Sequence, residues 1–171
     1  MTYVMSDIHG NYKAFQTCVD YALAQDIRVF FFLGDYEHPI TSISPLHDAL
    51  LAFTPDRIWN ITFGKEGMQL TLATHDMGCT SQHGAIPYKS GVLAAMNGGI
   101  YKITASASQT DELATERIST HIDDKFPVGF IQKAHLIHHY TDGEIWMRDP
   151  TDSTGTVWIW NTENGEWYRY G

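Results

Sequence analysis

Cysteine is nearly missing from this sequence. Two residues, Cys18 and Cys79, stand among 171, against nine histidines. Two distant thiols make no disulfide framework, so the sequence predicts free thiols and a reducing, cytoplasmic setting. Cations are scarce as well: Lys and Arg number 11 against 20 Asp and Glu, a formal net charge of −9. That balance argues against a nucleic-acid binder, which needs a basic face. A phosphorylated ligand stays admissible where a bound metal supplies local positive charge. No apolar run approaches the roughly 20 residues of a membrane span. Asp7 and His9 interrupt any signal-peptide-like stretch. Internal repeats and low-complexity tracts are absent. The length and the 43% hydrophobic fraction suit one soluble globular domain over residues 1–171.

What is present begins at the N-terminus. The apolar run Tyr3-Val4-Met5 leads into Ser6-Asp7-Ile8-His9-Gly10-Asn11. The spacing predicts a strand, a tight turn and a helix over 12–25. Its apolar stripe joins Ala14, Cys18 and Ala22 with Phe15, Val19 and Leu23. In extended backbone Asp7 and His9 point to the same side. A carboxylate and an imidazole aimed at one point suit a divalent transition metal. The run Val29-Phe30-Phe31-Phe32-Leu33 reads as a strand buried on both faces, ending at Gly34-Asp35. Strand, helix, strand predicts two parallel, adjacent strands with Asp7 and Asp35 beyond their carboxyl ends. Ligands of open α/β sheets gather at that edge.

Further on, Ser44 and Pro45 read as the cap and first position of a helix through Leu46, Ala49, Leu50 and Phe53. Alternation predicts strands over 57–63 and 68–73, the second running into His75. A short helix is expected over 90–96. A longer one opens at Thr110-Asp111-Glu112, runs through Leu113, Ile118 and Ile122, and stops at Phe126-Pro127. A short strand over 128–131 precedes Gln132-Lys133-Ala134-His135. The C-terminus reads as a meander with strands over 144–147, 156–160 and 167–170. Asp142-Gly143 and Asn164-Gly165 are its hairpin signals. Trp158, Trp160 and Trp167 are expected to pack on the sheet.

Asp7-x-His9, Gly34-Asp35, the Gly64-Lys65-Glu66 turn, His75 and His135 occur in an order that resembles the calcineurin-like metallophosphoesterases, in particular their small bacterial phosphodiesterase branch. The resemblance is close over residues 1–36 and loose over 76–127. It implies an α/β fold, a four-layer α-β-β-α sandwich of two mixed sheets. It implies a metal-activated water attacking a phosphorylated small molecule, with Mn, Zn or Fe as the ion. By resemblance Asp7, His9 and His135 hold the first metal, Asp35 bridges, and His75 holds the second. Read from the residues alone, His83 competes with His75, and His138 and His139 with His135.

Two positions depart from the family pattern. Gly64 stands where the family has a ligand asparagine, and Lys133 where it has a histidine. Neither supplies a metal ligand. The expectation is one firmly held ion, with the second weak or absent. Lys65 and Lys133 then become the candidate electrostatic groups toward phosphate, beside Asp35. A non-catalytic module that binds metal or a phosphorylated ligand is the alternative. A carbohydrate-binding domain on the Trp-rich C-terminus is a third reading.

Overall fold

The computed structural model describes residues 2–6, 29–33, 40–64, 67–105 and 113–171. Its contacts divide the chain into two compact units, Met1–Ile40 and Thr41–Gly171. In the first, β1 (Thr2–Ser6) pairs in parallel with β2 (Val29–Leu33). The register runs from Thr2 opposite Val29 to Ser6 opposite Leu33. The parallel, adjacent pair expected from the sequence is therefore present. The helix expected over 12–25 lies outside the described residues.

The described strands of the second unit form three four-stranded antiparallel sheets, each a plain meander. The first comprises β3 (Ser42–Leu46), β4 (Ala49–Phe53), β5 (Ile58–Gly64) and β6 (Gly67–Thr74). The second comprises β7 (Ala85–Tyr88), β8 (Gly91–Met96), β9 (Gly99–Ala105) and β10 (Leu113–Arg117). The third comprises β11 (His135–His139), β12 (Glu144–Arg148), β13 (Val157–Asn161) and β14 (Trp167–Tyr170). A one-turn helix, α1 (Phe130–Lys133), leads into the third sheet.

The β7–β10 sheet is the middle layer, and β8 shows why. All six of its residues are buried. Leu93 and Ala95 belong to one core with Ile100, Leu136, Ile145, Met147 and Trp158. Val92, Ala94 and Met96 belong to a second core with Leu46, Leu51, Phe53 and Ile58. Alternate side chains leave opposite faces of a strand, so one strand feeds both cores. Each fully buried Leu, Ile, Val, Met or Phe contributes roughly 1.5–3 kcal/mol of transfer free energy.

This architecture overturns the α/β four-layer sandwich. Nearly all the described secondary structure is strand, and the second unit has no mixed sheet among its described residues. The helix expected over 44–53 is the β3–β4 hairpin. His47 turns the chain at φ 54°, a left-handed conformation that no helix passes through. The apolar spacing there is compatible with either period, as short apolar runs are.

The helix expected over 90–96 is β8, whose apolar run serves two cores. The helix expected from Thr110 is replaced by β10 and a 3-10 turn, Asp123–Lys125. Leu113 packs on one core, whereas Ile118 and Ile122 belong to the other. They share no helical face. The strand expected over 128–131 is instead α1, because Gly129 at φ 78° breaks the extended chain just before Phe130.

The remaining strand and hairpin expectations that fall on described residues are met. β5 and β6 match the strands read over 57–63 and 68–73. In the C-terminal meander, Gly143 at φ 63° and Gly165 at φ 74° sit in the two hairpin turns. Trp158 is buried, and Trp160 and Trp167 pack against the same core. No helix among the described residues is long and apolar enough to cross a membrane.

Candidate functional site

Asp7, His9, Asp35 and Lys65 lie outside the described residues. The strands that lead into Asp7 and Asp35 are described. Ser6 and Leu33 stand level in the parallel pair. Asp7 is the next residue in sequence after the first, and Asp35 is two residues after the second.

The remaining expected site residues fall in the second unit, on separate elements. His75 comes after β6 in an exposed turn closed by the Thr74 hydroxyl donating to the Met77 carbonyl at 3.2 Å. Lys133 ends α1, and its Nζ donates to Thr151 Oγ1 at 3.3 Å. His135 opens β11, half-buried. Its ring meets His83 edge-on, with centroids 4.7 Å apart. The His83 carbonyl accepts from the Leu136 amide at 2.9 Å, which ties that loop to β11.

Burial pulls the His135 pKa below its ordinary 6.5, with His83 and Arg148 acting in the same direction and Asp149 against them. A neutral imidazole results, the form that ligates metals and accepts protons. Asp149 is held ionised, chiefly by the Thr151 hydroxyl, which donates to its Oδ1 at 2.7 Å. The Thr151 amide donates to the same oxygen at 2.7 Å. The structure thus gathers His83 and His135 as a ring pair, with Lys133, Asp149 and Thr151 hydrogen-bonded or charge-coupled beside them. His83, a competitor of His75 in the sequence, is the imidazole that reaches His135. The contact spans 52 positions, and no local pattern announces it.

The competing histidines go elsewhere. His138 faces the core side of its sheet, its ring 5.5 Å from Tyr88 and 3.9 Å from Tyr140. Its Nδ1 is buried without a hydrogen-bond partner. Burial, reinforced by Lys89, lowers its pKa. His139 is on the opposite face, 3.2 Å from Asp142 and stacked on Trp146.

A two-metal centre needs several donors converging on each ion. Among the described residues no three His, Cys, Asp or Glu side chains come together in that way. Lys133 is engaged by Thr151. Comparison of the sequence with protein-family models and with curated proteins finds no match.

Proposed function

We propose that the Met1–Ile40 unit carries the function: Asp7, His9 and Asp35 hold one divalent transition metal, Mn, Zn or Fe, and through it a phosphorylated small molecule. The observation that carries this reading is the parallel β1–β2 pair, whose strands end level at Ser6 and Leu33. A parallel pair delivers the segments after both strands to one edge, the place where α/β sheets bind ligands. Two carboxylates and an imidazole are suitable donors for these ions.

The stronger form of the same reading is a metal-dependent phosphoesterase of low activity. It is favoured by the Asp-x-His and Gly-Asp motifs. A bound ion would supply a water of lowered pKa and a Lewis acid toward phosphate. Binding without turnover takes precedence because the antiparallel second unit is not the scaffold that presents His75 and His135 in the family resembled.

Hydrolysis of an activated aryl phosphodiester by the whole chain, with added Mn²⁺ or Zn²⁺, separates the two forms. Turnover that Asp35→Asn abolishes establishes the enzyme. Metal bound without turnover establishes the binding module. A chain that takes up neither ion sinks both.

A further inference from the structure

The outward face of the β11–β14 sheet carries a level row across all four strands: Ile137, Trp146, Ile159 and Tyr168. The opposite face is packed into the core through Leu136, Ile145, Met147 and Trp158. On the outward row Ile137 is 60% exposed, Trp146 37% and Tyr168 44%. Apolar rows of this kind on the middle sheet are buried between layers, whereas this one meets solvent. A contiguous apolar patch on a polar-rimmed surface marks an interaction site.

The rows on either side differ in charge. On one side, Arg148 stands opposite His135 on β11 and Val157 on β13, with Tyr170 beyond. On the other, Glu144 stands opposite His139 and Asn161. Arg148 has no ion-pair partner among the described residues. Glu144 accepts the Trp146 indole N–H at 2.8 Å and leaves its other oxygen for a cation.

A two-fold axis laid along the apolar row inverts position along the strands and turns the face onto itself. Trp146 then faces Trp146 of a second copy. Arg148 of each copy faces Glu144 of the other, giving two reciprocal ion pairs. The face is self-complementary in charge, as a closed isologous contact requires.

We propose that the outward face of β11–β14 is a homodimer interface, two copies meeting sheet to sheet through the Ile137–Trp146–Ile159–Tyr168 row. Sheets packed in this way lie about 10 Å apart. Four strands about 4.8 Å apart and five residues of about 3.4 Å give a footprint on the order of 300 Å². A stable interface covers roughly 800 Å² per partner, so the dimer is weak and forms with rising concentration.

Sedimentation velocity on the whole chain over a concentration series is the test. The expected result is a monomer–dimer equilibrium with no larger species. Trp146→Glu sets two like charges opposite each other and raises the dissociation constant about tenfold or more. Far-UV circular dichroism checks that this exposed substitution leaves the fold intact. Arg148→Glu and Glu144→Arg each weaken the dimer about tenfold, and the double reversal restores it to within about threefold. A monomer at every concentration overturns the proposal. So does a dimer indifferent to Trp146→Glu, a double reversal without rescue, or assembly beyond the dimer.

Discussion

In the Met1–Ile40 unit two strands run parallel and end level with each other; in the Thr41–Gly171 unit every described pair is antiparallel. The difference teaches how each unit arranges the ends of its strands. A parallel pair points the carboxyl ends of both its strands the same way. An antiparallel meander sends successive turns to opposite ends, so the polar residues of the second unit are scattered over many turns and edges. Its histidines illustrate this: His75 in a turn, His138 facing the core, His139 outward, and His83 and His135 in ring contact.

The largest effect that breaks the comparison is on the second unit's stability. Phe53 is fully buried in the core between the first and middle sheets. Phe53→Ala is expected to cost about 3–5 kcal/mol, read as a lowered urea midpoint. If the two units differ in role, metal affinity measured below that midpoint stays unchanged.

Acid acts next, and also on the second unit. His135 and His138 both have folded pKa values below 6.5. Unfolding therefore takes up protons, and stability rises with pH in this range. It falls as pH drops below about 6.5 toward the folded values and levels off beneath them. Thermal melts from pH 8 to 5 are expected to show this fall, and His135→Gln with His138→Gln is expected to flatten it.

A smaller, kinetic effect concerns Cys79. Burial pushes its thiol up to about 11. At pH 8 its native thiolate fraction is therefore depressed on the order of a hundredfold relative to an ordinary cysteine. Iodoacetamide labelling with peptide mapping should show slow modification that becomes fast in urea.

The smallest effect is a predicted absence. Gly64→Asn with Lys133→His installs the side chains of the family resembled. It is expected to change aryl phosphodiester turnover by less than about twofold, because Lys133 is engaged by Thr151 and charge-coupled to Asp149. A large gain would support a second metal site at these positions.

The N-terminal pair and the C-terminal meander are legible in the sequence because their signals are local. An apolar run of five marks β2, and Gly143 and Gly165 occupy turns that favour positive φ. The middle of the chain misleads because its apolar residues serve two cores at once. Val92-Leu93-Ala94-Ala95-Met96 looks periodic at neither 2 nor 3.6 when both faces are buried. Leu113 and Ile118 look like one stripe while packing on different layers. The His83–His135 contact and the outward Trp146 row depend on sheet register, which no single segment encodes.

Equilibrium dialysis of the whole chain against Mn²⁺ or Zn²⁺, with bound metal counted per chain, tests most directly whether the first unit is a metal site. The predicted result is one ion per chain, lost in Asp7→Asn and Asp35→Asn and retained in His75→Ala and His135→Ala. No bound ion, or an ion lost with His75 or His135 and kept without Asp35, would contradict it.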